Sequence, residues 1–241
     1  MGEQQTTPRE VQRIRAAYDR YRDGAALKWS RGNPGNLAML EERNACLASL
    51  LQAGGMWPLK SRRVLDVGCG GGDLLAFFET LGVQREDLFG VDLMAERIEA
   101  ARNALPGANL SVANGEELPF PDGSFDVLSL FVVFSSILSE RMAQNLASEV
   151  MRVLRPGGCV LVYDFRVPSI WNRNTRAIPR RSVRRLFPDF ILSARTVTLL
   201  PPLARRLGTA TRVLYPILST IPWLRTHNLL LMRRACALTH Q

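Results

Sequence analysis

A short apolar strand, Val64-Leu65-Asp66-Val67, runs into Gly68-Cys69-Gly70-Gly71-Gly72 and then Asp73. Glycines at this density let a chain turn sharply and bring main-chain N–H groups close to a ligand. A helix starting after such a turn favours a carboxylate or phosphate at its first residues. The spacing departs from a dinucleotide fingerprint, because the third glycine of G-x-G-x-x-G counted from Gly68 falls on Asp73. Asp66, just before the turn, would repel a pyrophosphate but suits a ligand with ammonium and sulfonium charges. The loop chemistry therefore favours S-adenosylmethionine (SAM) over a nicotinamide dinucleotide. A second acid, Asp92, closes the strand Gly90-Val91-Asp92. A carboxylate there can accept both hydroxyls of a ribose; its competing role is to cap the next helix.

Displacement on a sulfonium methyl depends mainly on holding the nucleophile close and aligned, so it needs little acid–base help. Asp164 and His227 are the two candidates for handling an acceptor proton. For each, a structural hydrogen bond is the competing reading.

The elements that must position these residues follow from periodicity. Residues 8–23 place Val11, Ile14, Ala17, Tyr18 and Tyr21 at helical spacing, Gly24–Asn36 reads as a loop, and Leu37–Gln52 as a second helix. From Arg62 onward, short apolar runs alternate with amphipathic segments. Strands are expected at 62–67, 87–92, 109–112, 125–131 and 159–165, with helices at 73–80, 95–104 and 140–154 between them. Beyond Arg166 come a short helix at 179–186, a strand at 190–200, a helical insert at 201–225 and a last strand at 228–235. The alternation predicts an α/β fold. Its form is a Rossmann-like, doubly wound, mostly parallel seven-stranded sheet with helices on both faces, an N-terminal helical lid, and a helical insert before the last strand. Three parts are expected: a lid (1–61), a cofactor-binding core (62–165), and an Arg-rich part (166–241) that completes the sheet and the acceptor site.

Four segments in order, VLDVGCGGGDLL, GVDL, ANGEELPFPDGSFDVL and VLRPGGCVLVYD, resemble the motifs of class I SAM-dependent methyltransferases, with the ubiquinone/menaquinone-type branch nearest in wording. The resemblance covers roughly residues 62–165. It implies that Asp66 and the backbone of Gly68, Cys69, Gly70 and Gly72 hold the amino-acid end of SAM. It further implies that Asp92 binds the ribose, that Leu93 packs on the adenine, and that Asn114, Gly115 and Phe131 complete the site. Asn114 stands where the family has an Asp that accepts a bond from the adenine amino group; an amide oxygen accepts the same bond without the charge.

Strand ends of a parallel sheet face the crevice beyond their carboxyl ends, which places Ser135, Tyr163, Asp164 and Arg166 near the acceptor. Tyr21, Trp29 and Asn33, beside a Gly/Pro loop, suit a closing element, with simple packing of the N-terminal helix as the alternative. The leading expectation is transfer to oxygen of a small-molecule, glycan or lipid-linked acceptor. The tail also resembles that of bacterial methyltransferases of cell-surface glycan pathways.

Charge sharpens and complicates the choice of acceptor. Net charge is +9, yet residues 1–165 carry −4 and residues 166–241 carry +13, with 14 Arg against Asp189 alone. That asymmetry suits an anionic acceptor or an anionic surface, and the Leu, Ile, Trp and Arg of 201–225 suit peripheral contact with lipid or a cap over an apolar acceptor. It equally motivates an RNA or other nucleic-acid substrate, though no aromatics interleave with the arginines. A SAM-binding regulator without transfer is the non-enzymatic alternative. The four cysteines are scattered, so neither a metal site nor a disulfide framework is expected. With no secretory signal, a cytoplasmic location is expected.

Overall fold

The computed structural model describes the backbone of residues 6–28, 30–168, 172 and 174–234, and the side chains over that range except residues 6, 7 and 21–28. Two helices lead, α1 (Thr6–Lys28) and α2 (Pro34–Ala53), followed by β1 (Val64–Val67), α3 (Asp73–Thr80), β2 (Leu88–Asp92), α4 (Ala95–Ala104) and β3 (Asn109–Val112). Then come β4 (Phe125–Phe131), α5 (Glu140–Val153), β5 (Leu154–Phe165), α6 (Arg180–Leu186) and β6 (Phe190–Leu199). The chain ends with α7 (Pro201–Arg206), α8 (Thr211–Ser219) and β7 (Arg225–Arg234).

The seven strands lie in the order β3-β2-β1-β4-β5-β7-β6, and β7 runs antiparallel to both of its neighbours. The expected mixed α/β sheet is therefore present. The chain winds outward from β1 to β3, then returns to place β4 on the other side of β1. That reversal opens a crevice at the carboxyl ends of β1 and β4, where open α/β sheets bind ligands.

The central strands are buried on both faces, as parallel strands covered by helices must be. Leu65, Val67, Leu128 and Leu130 meet Leu146 and Val150 of α5 and Val183 of α6 on one face. Val64, Val127 and Leu161 meet Leu47 and Leu51 of α2, Leu75 and Phe78 of α3, and Ile98 of α4 on the other. A third cluster, Met39, Leu199, Ala204 and Tyr215, seats the α7–α8 insert on α2 and the edge of β6.

Several boundaries move. Both leading helices are longer than the periodicity suggests; α2 starts early because Asn33 caps it, accepting from Gly35 N at 2.9 Å and Asn36 N at 3.2 Å, with Pro34 as the first helical residue. β7 begins at Arg225 rather than 228, which puts His227 inside the strand instead of at its start. β5 begins before its Pro-Gly-Gly turn, since Leu154 pairs with Phe125 before the register shifts and resumes at Cys159. Gly35 is required by proximity: a Cβ there would stand 2.0 Å from the Ala204 carbonyl oxygen, so α2 and α7 touch backbone to backbone.

Candidate functional site

A cavity of about 500 Å³ lies at the carboxyl ends of the strands, within the usual range for small-molecule sites. Its wall runs across the sheet: Leu93, Asn114 and Gly115 after β2 and β3, Gly68 after β1, Phe131 and Val132 at β4, then Tyr163, Thr198 and His227 from β5, β6 and β7. Neighbouring strands stand about 4.8 Å apart, so β2 and β5 contribute from positions separated by three strand spacings. α1 and α2 close the cavity with Ile14, Tyr18, Met39 and Arg43.

The β1–β2 end is organised by main-chain contacts. The Asp92 carboxylate accepts from Gly70 N and Met94 N, each at 2.9 Å, and stands 3.9 Å from the Arg97 guanidinium. These bonds fix its orientation and leave lone pairs that face the cavity. Gly68 has φ +77 and its N–H donates to Val91 O; a Cβ there would meet Val133 at 2.8 Å. Glycine thus fits the turn on both counts. Asp66 is buried below the loop, bonded by the Ser129 hydroxyl at 2.6 Å. Burial raises its pKa to about 7, against the lowering effect of the Ser129 bond and Arg43. The Asn114 amide accepts from Glu116 N and donates to the Glu116 carboxylate, holding its oxygen in place beside the cavity.

The opposite end is aromatic. The Tyr163 ring stacks on His227 at 4.6 Å and lies 5.3 Å from Phe131, while Phe165 flanks His227 at 4.3 Å. The Arg43 guanidinium sits over Phe131 and Tyr163 at 5.4 and 5.9 Å. Its hydrogen bonds go to the neutral Asn44 side chain, and no carboxylate among the described residues lies within ion-pair distance of it. Burial holds its pKa below the ordinary value.

His227 is 2% exposed, and its Nδ1 is held by the Thr226 hydroxyl. The Thr226 hydroxyl lies 3.2 Å from Thr198 O and 2.9 Å from His227 Nδ1; in the tautomer where its proton goes to Thr198 O, its oxygen accepts from Nδ1–H. Nε2 is then bare and available to the cavity. Burial, then the Arg43 charge, depresses the ring's pKa to about 3, so the imidazole is neutral at physiological pH. Tyr163 and Thr198 share a hydroxyl bond of 2.7 Å, and Thr198 N donates to Glu42. Val132 and Thr198, both on the cavity wall, have φ of +60 and +70. A β-branched residue in the left-handed region is strained and persists only where its surroundings hold it.

Of the residues singled out from sequence, Gly68, Asp92, Leu93, Asn114, Gly115, Phe131, Tyr163 and His227 line this cavity. Asp66, Cys69, Gly70 and Gly72 are not part of its wall: Asp66 and Cys69 are buried, and Gly70 N is spent on the Asp92 carboxylate. Asp164 is not brought to the cavity: it is 1% exposed and its two oxygens accept from Ser135 N and Phe165 N. Its carboxylate closes the loop after β4. Ser135 is likewise buried, and the neighbouring Ser136 takes the place at the wall. Arg166 donates to the carbonyls of Pro222 and Arg225, bracing the insert. Asn33 serves as the α2 cap and donates to Arg205 O. Trp29, the Tyr21 side chain, Arg173, Cys236 and His240 lie outside the described residues. Arg43, Thr198 and Arg97 were missed; each is one polar residue in an otherwise ordinary element, and only their convergence marks them.

No metal-binding cluster of His, Cys, Asp and Glu occurs among the described residues, and Cys46, Cys69 and Cys159 are free thiols. No helix among them is long and apolar enough to cross a membrane.

Comparison with known proteins agrees with this geometry. Residues 65–162 match a methyltransferase domain family. The ubiquinone/menaquinone biosynthesis C-methyltransferase UbiE of Hahella chejuensis is 37% identical over 112 residues, 44% of each protein. The chain thus spans under half the length of that relative. Among solved structures, the PH0226 protein of Pyrococcus horikoshii superimposes with a TM-score of 0.60 at 16% identity, covering 90% of this chain and 99% of that one. A SAM-dependent methyltransferase of Mesorhizobium loti gives 0.57 at 18% identity, covering 77% and 96%.

Proposed function

We propose that this chain, whose residues 65–162 form a class I SAM-dependent methyltransferase domain, transfers the methyl group of SAM to a hydroxyl oxygen of a small-molecule, glycan or lipid-linked acceptor. The observation that carries this reading is charge of both signs on one cavity wall that is only partly paired within the protein: Arg31 is tied to Asp73 at 2.6 Å, while Arg43 and Asp92 are left to a ligand. Among the described residues no carboxylate lies within ion-pair distance of Arg43, although Asp66 and Asp73 act on its charge from further away, and Asp92 reaches Arg97 only at 3.9 Å. A ligand bearing a carboxylate, an ammonium and a sulfonium complements that arrangement.

The residues present fit SAM. Asp92 would accept from the ribose hydroxyls, Leu93 and Asn114 would enclose the adenine, and Arg43 would pair with the carboxylate. Asp66, beneath the glycine loop, offsets the cationic charge of the amino-acid end. When bound, SAM supplies a methyl carbon already activated for in-line displacement. The chain's own task is then to exclude water and align the acceptor.

Tyr163, Phe131 and Phe165 form an apolar aromatic wall that suits a flat or apolar acceptor. His227 Nε2, bare and neutral, accepts a hydrogen bond from the acceptor hydroxyl and so directs an oxygen lone pair towards the methyl. With a pKa near 3 it is a weak base, so its contribution is orientation; the carbon–oxygen bond would form as the carbon–sulfur bond breaks to leave a neutral thioether, and the proton of the methylated oxygen, by then strongly acidic, would pass to solvent water. The Thr226 hydroxyl, shared between the Thr198 carbonyl and Nδ1, and the Tyr163 ring stacked at 4.6 Å hold the imidazole in place. Free cysteines suit action in a reducing cytoplasm.

The test is to incubate the protein with methyl-labelled SAM and cell extract, then separate lipid, glycan, small-molecule, protein and nucleic-acid fractions. Label on oxygen in a lipid, glycan or small-molecule fraction, lost in Asp92→Ala, is expected. Label on carbon would move the acceptor chemistry towards the Hahella relative. Label confined to RNA or DNA would overturn the acceptor assignment and give a role to the exposed Arg181, Arg184 and Arg185 of α6. SAM binding with no label in any fraction would leave a regulator.

A further inference from the structure

The insert between β6 and β7 carries an apolar surface that the methyl-transfer reading does not use. α8 turns Thr211, Tyr215 and Ser219 inward, where the Tyr215 hydroxyl donates to Glu42 at 2.7 Å. Its outer side presents Val213 (65% exposed), Leu214 (39%) and Ile217 (58%), and the turn after it presents Trp223 at 79%. None of these four side chains lines the cavity, so they do not cap an acceptor. Single exposed apolar residues are ordinary, but four large ones on one short segment form a patch that calls for a partner.

Charge selects the partner. Arg206 and Arg212 are exposed beside the patch, and residues 190–234 contain no Asp or Glu. The acids nearest to α8 belong to α2: Glu42 is tied to Tyr215, and Glu41 shares a groove with Arg212. A second copy of this chain would bring the same positive charge and be repelled. An amphipathic helix with aliphatic side chains outward, arginines at its flank and an adjacent Trp has the chemistry of a segment that lies in the headgroup region of an anionic bilayer.

We propose that α8 and Trp223 form a peripheral docking surface for anionic lipid membranes. Val213, Leu214, Ile217 and Trp223 enter the headgroup–acyl boundary, and Arg206 and Arg212 pair with lipid phosphates. The same insert contributes Pro201 to the cavity wall, so docking holds that part of the cavity rim on the membrane-facing segment. This surface is independent of methyl transfer and stands or falls on its own measurement.

The experiment is sedimentation of the full chain with vesicles of equal parts phosphatidylglycerol and phosphatidylcholine, and with pure phosphatidylcholine. Binding is expected to the anionic vesicles and to weaken as salt rises. Ile217→Ser with Trp223→Ser should raise the lipid concentration for half-binding at least about tenfold, and Arg206→Ala with Arg212→Ala by a similar factor. The melting temperature should hold in both, since the side chains are exposed. Brominated lipid should quench a fluorescence component that Trp223→Phe removes, a readout that does not depend on the folding of the Ser variant. Absence of binding to anionic vesicles, equal binding to pure phosphatidylcholine, or unchanged binding of the apolar variant would each overturn the proposal. Lipid-free self-association abolished by the same substitutions would replace the membrane with a second copy.

Discussion

The two ends of the cavity are built by different means. At the β1–β2 end, Asp66, Gly68, Asp92 and Asn114 come from one stretch of fewer than fifty residues, and backbone N–H groups do most of the positioning. At the β5–β7 end, Arg43, Phe131, Tyr163, Thr198 and His227 come from five separate elements and meet through rings and hydroxyls. A loop that presents main-chain donors tolerates side-chain change as long as its glycines and carboxylates remain. A wall assembled from distant side chains can be remodelled one residue at a time, which is how one fold serves many acceptors.

The contrast is easiest to break at Asp92. Asp92→Ala removes a charged acceptor and releases Gly70 N and Met94 N, so SAM affinity measured by calorimetry should fall by about a hundredfold or more. Retained affinity would mean that the cofactor lies elsewhere. At the other end, His227→Phe should lower the transfer rate by roughly tenfold to a hundredfold while leaving SAM affinity within about twofold, because the role proposed for the ring is towards the acceptor alone. His227→Asn, which keeps an acceptor atom, should recover part of that loss. Equal damage to SAM binding would merge the two ends into one site.

Gly35→Ala tests the support behind both ends. Its Cβ would collide with the Ala204 backbone, so α7 must shift, and a stability loss of about 1–3 kcal/mol is expected in chemical denaturation. An unchanged midpoint would show that the insert moves freely on α2.

The smallest effect concerns pH. The pKa of buried Asp66 is raised to about 7, so the folded protein holds a proton that the unfolded chain, near 3.9, has released. This group therefore costs stability progressively as pH rises from about 4 to about 7. A cationic ligand favours its charged form, so SAM affinity should rise severalfold between pH 6 and about 7.5, and Asp66→Asn should flatten that rise. Ser129, Arg43 and Asp92 all bear on the carboxylate, and Ser129→Ala should move the inflection upward.

How much was legible in advance follows the same division. The glycine loop, its flanking acids and the alternation of strands and helices are contiguous patterns, so local sequence pointed to the crevice and to most residues of its β1–β2 end. Asp164 misled because its position at a strand end is the same whether its oxygens face a ligand or two backbone N–H groups; only the path of the loop after β4 separates these. His227 was undervalued because the strand start was placed beyond it, so its burial between Tyr163 and Phe165 was out of sight. The arginines of the last third were read as one charged region, yet the structure divides them into braces such as Arg166 and Arg225 and exposed cations such as Arg206 and Arg212.

Sequence alone determined the alternation that builds the sheet, the glycine turn after β1 and the sign of the charges beside it, because each depends on residues close together in the chain. Tertiary structure decided the rest. Whether Arg43 finds a carboxylate, which nitrogen of His227 is bare, and which side of α8 meets solvent depend on residues tens to hundreds of positions apart, brought together only when the helices close on the sheet.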